Sequence, residues 1–279
     1  MGLIPYPHIS PVIFHIGRME IRWYGVAYLA GFMLAYAVLT RLVKKGELRI
    51  PADWLGDLVA WLALGVVVGG RTGWWIFYHR DLGVAEPWWE PFAIQHGGMS
   101  FHGGLVGVLI VLLLWSRAKK VPFLNPADCL ALVTPIGLFL GRIANFINHE
   151  LVGRPTDVPW AMIFPGYTQP RHPSQLYEAI LEGPVLLGVV WAFRSWKGRR
   201  TGQIAATFVV CYAVIRICVE FTREPDVQLG FIAFGWLTMG QLLSIAIGLA
   251  GVVWWIVLNR RPRGQAGNSA GRGLERSKT

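Results

Sequence analysis

The chain is predicted to be an all-α membrane protein of about seven transmembrane helices, and three observations carry that prediction. Over 279 residues it is 54% hydrophobic and only 15% charged, a balance typical of multispanning chains. Apolar runs long enough to cross a bilayer lie at 22–42, 54–78, 101–117, 126–147, 175–194, 203–221 and 236–258. The third observation is the placement of charge. All six lysines (Lys44, Lys45, Lys119, Lys120, Lys197 and Lys278) follow the first, third, fifth or seventh run, beside eleven arginines from Arg41 and Arg49 to Arg272 and Arg276. Loops rich in Lys and Arg resist translocation, so these mark the cytoplasmic side. An odd number of spans then leaves the amino terminus outside and the carboxyl terminus inside.

Taken in order, the first run follows a Pro-containing stretch without a basic start and small-residue cleavage site, so it is expected to act as its own export signal. The second ends in Trp74, Trp75 and Tyr78 and the seventh carries Trp254 and Trp255, rings suited to the headgroup level. The fourth contains Pro135 and the fifth Pro184, so both are expected to kink. Three outer segments, Met1–Ile21, Tyr78–Ser100 and Asn148–Ser174, are too long for turns and are expected to form a small extracytoplasmic cap or re-entrant elements. Residues 1–259 form the seven-helix domain, and 260–279 a basic tail expected to be disordered. Cys129, Cys211 and Cys218 sit singly in apolar runs, away from any metal or redox spacing, and read as packing residues. Neither cofactor nor metal is expected. The excess of basic charge suits anionic lipid headgroups, and no recognition motif points to nucleic acid.

The outer side carries arginine without lysine: Arg18, Arg22, Arg71, Arg80, Arg142, Arg154, Arg171, Arg216 and Arg223. A planar guanidinium grips phosphate or carboxylate with two parallel bonds, so that bias points to a partly buried anion site. The densest motif is Gly141-Arg142-Ile143-Ala144-Asn145-Phe146-Ile147-Asn148-His149-Glu150, continuing to Gly153. Helical spacing puts Arg142, Asn145 and His149 on one face. Two readings stand level here, a substrate site and a structural pair of Arg142 with Glu150 or Glu178. His96-Gly97-Gly98-Met99-Ser100-Phe101-His102-Gly103-Gly104 enters the third run. There His102 is either a base or a hydrogen-bonded core residue, and the glycines serve close packing or lipid approach. Ser100 lacks the flanking glycine of a nucleophile elbow. Arg216 and Glu220 are four apart near the end of the sixth run, with Arg223 a turn beyond. A salt-bridge ladder and a phosphate cradle both fit them.

These motifs, with Arg171-His172-Pro173-Ser174-Gln175-Leu176-Tyr177-Glu178 and Ile21-Arg22-Trp23-Tyr24-Gly25, resemble bacterial prolipoprotein diacylglyceryl transferases over nearly the whole chain. The resemblance implies an enzyme of the bacterial inner membrane, with a periplasmic amino terminus and no cofactor. Such an enzyme moves the diacylglyceryl group of phosphatidylglycerol to the lipobox cysteine of a prolipoprotein signal peptide. The substrate brings its own thiol, so no enzyme nucleophile is required. By resemblance His102, Arg142, Arg216 and Glu220 are the catalytic candidates: His102 as base, the two arginines on the phosphate, Glu220 orienting Arg216. Tyr24, Asn145, Asn148, Glu150, Gly153 and Arg223 are the substrate-binding candidates. An arginine–glutamate unit that activates the thiol, with His102 only binding, is the alternative. An anion transporter would place arginines similarly but usually shows paired repeats, which are absent from the sequence. A structural or receptor-like seven-helix protein would not need the arginines at all.

Overall fold

The computed structural model describes residues 4–7, 9–17, 19–77, 89, 98–225 and 230–260. Helices dominate: α1 (Trp23–Lys44), α2 (Trp54–Phe77), α3 (Phe101–Ala118), α4 (Leu124–Ala131), α5 (Thr134–Ile147), α6 (Ser174–Ile180), α7 (Leu186–Arg194), α8 (Gln203–Glu220) and α9 (Met239–Arg260). Four short strands accompany them among the described residues. β1 (Ile4–Pro5) pairs in parallel with β4 (Met162–Ile163), and β2 (Val12–Ile16) forms a hairpin with β3 (Met19–Arg22). Among the described residues five helical segments are long and apolar enough to cross a membrane, and six if a bent pair counts as one span. Side chains such as Leu29, Met33, Leu114, Leu249 and Val253 are more than half exposed along these helices, which is stable when lipid is the surrounding solvent. The chain is therefore a multi-pass membrane protein.

One expected span is broken in two, and another bends within its length at Pro184, as expected. The run 126–147 is not one helix: it breaks at Leu132-Val133 into α4 and α5, inclined at 41°. Pro135 opens α5 in its first turn, where its missing N–H costs nothing. The carbonyl of Leu132 freed by the break accepts Trp191 Nε1–H of α7 at 3.1 Å, which meets the demand for internal satisfaction at membrane depth. Between α6 and α7, Leu181–Val185 forms a π turn containing Pro184, with Gly183 non-helical at φ −90°, ψ −108°. A Cβ on Gly183 would stand 2.7 Å from Phe139 Cβ of α5.

Cα packing divides the chain into two compact units. In the first, residues 4–38 and 128–260 among those described, α1 runs antiparallel to α5, with Gly31 beside Gly137 and Tyr24 beside Asn145. α8 and α9 pack antiparallel through Gly240, Gly248 and Gly251. Asp128 of α4 accepts the amides of Gly202 at 2.7 Å and Ala205 at 2.9 Å, capping α8 from a distant part of the chain. The strand pair β1–β4 lies near a small aromatic core of Tyr6, Phe146 and Phe164, so described parts of the segments before α1 and between α5 and α6 pack together. Most of the second, 78–88 and 90–97, lies outside the described residues.

The second unit, residues 39–127, is built on the antiparallel pair α2–α3. Gly69 faces Gly107 and Gly73 faces Gly103; a Cβ at Gly69 would stand 2.8 Å from Gly107 Cα, and one at Gly73 2.7 Å from Gly103 Cα. Small residues at this spacing let helices touch along their backbones. Trp115 Nε1 donates to Asp57 at 2.9 Å across the pair, and Asn125 ties the carbonyl of Glu47 to the amide of Arg49.

Candidate active site

The site starts from two acids one helical turn apart. Glu178 lies on α6 and Glu182 in the π turn after it, and both are completely buried. Isolated carboxylates at that depth would be too costly to keep charged, so each must be paired. Arg142 of α5 meets Glu178 Oε2 through Nη1 at 2.8 Å and Glu182 Oε2 through Nε at 2.9 Å. Arg216 of α8 meets Glu178 Oε1 at 3.0 Å, Glu182 Oε1 at 3.3 Å and Glu220 Oε2 at 2.9 Å. Arg223 closes on Glu220 at 3.8 Å. Three arginines thus face three glutamates, and Glu182 joins Arg142 to Arg216. Tyr212 of α8 lies within their electrostatic reach.

Glu220 has further support. Thr238 and Gln241 form a reciprocal capping box at the start of α9: Thr238 N–H donates to Gln241 Oε1 at 3.1 Å and Gln241 N–H to Thr238 Oγ1 at 3.2 Å. The Thr238 hydroxyl in turn donates to Glu220 Oε1 at 3.0 Å. A Cβ on Gly240 would come within 2.7 Å of that same oxygen. The carboxylate therefore lies against a helix amino terminus, where the peptide dipoles favour negative charge.

A second group joins the end of α5. His149 and Leu151 take positive φ of 59° and 56°, folding the chain so that Glu150 turns back on the helix. Asn145 Nδ2 donates to Glu150 Oε2 at 3.1 Å and Asn148 Nδ2 to Oε1 at 3.3 Å. Tyr24 of α1 interacts with both Asn145 and Glu150, and Gln175 Nε2 donates to the Glu150 carbonyl at 2.6 Å. Gly153 is wedged between two neighbouring segments: a Cβ there would stand 2.7 Å from both His172 Cβ and the Thr222 carbonyl. Its position aligns Arg154, whose Nε donates to the Arg223 carbonyl at 2.7 Å and whose Nη2 donates to that of Glu220 at 3.3 Å. Between α5 and α6, Trp160 Nε1 donates to the Tyr177 hydroxyl of α6 at 2.6 Å, which lies 3.2 Å from His172 Nδ1. Burial holds the His172 imidazole below its ordinary range.

Arg142, Arg216, Glu220 and Arg223 are therefore brought together, and so are Tyr24, Asn145, Asn148 and Glu150. Several expectations change. Arg142 pairs with Glu178 as one reading had it, but Glu150 takes amides and not Arg142. His149 leaves the Arg142–Asn145 face because its positive φ ends the helix; its ring packs edge-on against Tyr6 at 4.7 Å. Ser100 is the amino-terminal cap of α3, accepting Gly103 N–H at 3.3 Å. Cys218 is exposed, so it is not a packing residue like the buried Cys129. His102 lies in the first turn of α3 in the second unit; His96, Gly97 and the His102 side chain lie outside the described residues. Glu182 was missed altogether. The signal for it was a pair of acids four apart, Glu178 and Glu182, inside an apolar span.

The family model for prolipoprotein diacylglyceryl transferase matches residues 11–257 of this chain. The phosphatidylglycerol–prolipoprotein diacylglyceryl transferase of Chromohalobacter salexigens is 48% identical over 261 residues, covering 93% of this chain and 96% of that protein. The enzyme of the same name from Nitratidesulfovibrio vulgaris is 48% identical over 271 residues, 97% of this chain and all of that protein. That from Pseudomonas putida is 47% identical over 266 residues, 93% of this chain and 98% of that protein. With a match that runs nearly from end to end and takes in both halves of the arginine–glutamate network, the chain belongs to the prolipoprotein diacylglyceryl transferase family.

Proposed function

We propose that this protein transfers the diacylglyceryl group of phosphatidylglycerol to the lipobox cysteine of prolipoprotein signal peptides, the first step of lipoprotein maturation. It would do so in the bacterial inner membrane, as seven spans with a periplasmic amino terminus and a cytoplasmic basic tail. The observation that carries this reading is the buried network of Arg142, Arg216 and Arg223 with Glu178, Glu182 and Glu220. A guanidinium held between two carboxylates is oriented before substrate arrives, and its fork suits the phosphate that must leave.

The chemistry needs a thiolate, since the thiol itself is a poor nucleophile. His102 serves as the base that takes the thiol proton. The sulfur then attacks the terminal glycerol carbon of the diacylglyceryl group, forming the C–S bond as the C–O bond to phosphate breaks. Glycerol phosphate departs with the bonding electrons, and Arg142 and Arg216 stabilise its oxygens. The network balances three arginines against three glutamates, so phosphate enters by exchange: it takes hydrogen bonds that Glu178 and Glu182 hold in the resting protein. Glu220, fixed by Thr238 and the start of α9, keeps Arg216 in place meanwhile. Tyr24, Asn145, Asn148 and Glu150 position the headgroup. Gly153 acts through close packing that sets Arg154 and the backbone around Arg223.

A second reading of the base is favoured by the burial of the three glutamates. A carboxylate that loses its arginine to the incoming phosphate can accept the thiol proton, leaving His102 to bind. The test of the whole reading is purified protein in detergent with phosphatidylglycerol and a lipobox peptide. Peptide gaining one diacylglyceryl mass, only when it carries its cysteine, supports it. Unmodified peptide from folded protein overturns it.

A further inference from the structure

The chain between α8 and α9 ends in a hairpin with a bare apolar tip. Ile232 N–H donates to the Leu237 carbonyl at 2.8 Å, and the Ala233 carbonyl accepts Trp236 N–H at 3.4 Å and Leu237 N–H at 3.1 Å. Phe234 and Gly235 turn the corner at positive φ, 55° and 69°. Two such residues in succession make a turn that asparagine, aspartate or glycine ordinarily fills, and a bulky side chain is strained there. Phe234 is nevertheless 81% exposed. Turn chemistry disfavours a phenylalanine at this point and no core of this fold receives its ring, so the ring is there for a partner.

The tip is braced from below. Phe234 stacks on Trp236 with ring centroids 6.3 Å apart, and Trp236 on Phe221 at 6.2 Å, each pair inclined by 26°. Phe221 caps the end of α8, and the Arg154 guanidinium lies 5.1 Å from the Phe231 ring. Composition and length identify the partner. No charged residue occurs from 227 to 259. The 22 residues of α9 span about 33 Å and cross a hydrocarbon core of roughly 30 Å unaided. Residues 227–238 therefore carry the uncharged tract beyond what crossing requires. The exposed apolar stripe of α9 begins at Leu242, directly after the hairpin, and continues through Ile245 and Leu249, so bare apolar surface runs from span to tip. A convex turn offers no groove for a peptide, whereas Phe and Trp rings suit the boundary between headgroups and acyl chains.

We propose that the hairpin 231–237 is a wedge seated in the membrane leaflet where α8 ends and α9 begins, with Phe234 leading and Trp236 and Phe221 behind it. Its partner is bulk phospholipid and not one bound substrate molecule. The proposal goes beyond the reaction described above and does not depend on it, needing only that α8 and α9 cross a membrane.

The test places the photoreactive residue p-benzoylphenylalanine at Phe234 of the full-length protein, in vesicles of phosphatidylcholine and phosphatidylglycerol without peptide. Reference proteins carry it at Leu249, on the exposed face of α9, and at Asp157, exposed between α5 and α6. After illumination, lipid adducts are read by mass spectrometry of the digested protein. The adduct at Phe234 should exceed that at Asp157 by at least about tenfold, the partition expected of a buried aromatic side chain, and should include both lipids. A yield equal to that at Asp157 would overturn the proposal. So would cross-links to a second copy of the chain, or adducts confined to phosphatidylglycerol, which would make the tip part of a substrate site. Adding a lipobox peptide should leave the lipid adduct in place; its replacement by a peptide adduct would make the tip a peptide surface. A second probe at Ile232 reads the same hairpin with Phe234 intact, and decides alone if the first protein does not fold. Phe234→Asp should lower its lipid adduct at least about fivefold while the Leu249 adduct stays unchanged. An Ile232 adduct indifferent to Phe234→Asp would show that this ring does not seat the hairpin.

Discussion

Glu182→Gln tests the account of the buried network at its joint. Glu182 is completely buried and accepts Arg142 Nε at 2.9 Å and Arg216 Nη1 at 3.3 Å. Glutamine removes one negative charge from a set of three arginines and three glutamates and turns an NH₂ group toward a guanidinium. Removing one partner of a buried ion pair leaves the other uncompensated, at about 3–5 kcal/mol. For a chain of this size that corresponds to a fall of roughly 6–20 °C in the unfolding midpoint, at about 2–4 °C per kcal/mol. The assay is thermal unfolding in one detergent of the wild type, Glu182→Gln, Arg142→Gln and the double variant. The double variant should cost at least about 1 kcal/mol less than the two singles together, because it removes a pair and not half of one. A Glu182→Gln protein within about 1 kcal/mol of the wild type would refute the claim that this carboxylate is charged and shared.

Arg142→Lys keeps the charge but loses the fork that spans Glu178 and Glu182, so transfer should fall at least tenfold, about 1.4 kcal/mol, in protein that still folds; near-normal kcat/KM would remove the bidentate role. His102→Gln should depress transfer sharply near pH 7 and recover part of it as pH rises past the thiol pKa of about 8.5, where the peptide supplies its own thiolate. A loss equally deep from about pH 6.5 to 9.5 would move the base to a glutamate of the network. Replacing Cys129, Cys211 and Cys218 together by alanine should leave transfer measurable, since the acceptor thiol belongs to the peptide; lipid trapped on one of them would contradict this. Gly69→Val should force α2 from α3, at about 1–3 kcal/mol, because a Cβ there already stands 2.8 Å from Gly107 Cα; an unchanged unfolding midpoint would refute the close glycine contact.

Hydropathy and charge made the helical membrane class legible, because a span must be apolar over its whole length wherever it sits in the bundle. The breaks were less so. Pro135 looked like a kink within one helix, yet proline is equally suited to a first turn, and only the orientation of α4 separates the two cases. Spacing of four found Arg216 with Glu220, since both belong to α8. It could not find Glu182 with Arg216, whose partnership depends on the π turn that rotates Glu182 relative to Glu178. His149 was placed on the polar face by continuing the helix two residues too far; its positive φ is set by how the chain folds back to bring Glu150 onto Asn145. The roles of Thr238 and Gln241 were written in the capping-box spacing Thr238-Met239-Gly240-Gln241, but their purpose became visible only with Glu220 beside them.

The central claim is that the peptide thiol attacks carbon while the arginines stabilise the departing phosphate. It is tested most directly with phosphatidylglycerol carrying ¹⁸O in the oxygen that bridges the diacylglyceryl carbon to phosphorus. Incubated with purified protein and a lipobox peptide, the lipid should release glycerol phosphate that keeps the label, one for each thioether-linked peptide formed. Glycerol phosphate without the label would mean that the P–O bond breaks, and labelled glycerol phosphate released without modified peptide would mean that water and not the thiol is the acceptor; either would contradict the account.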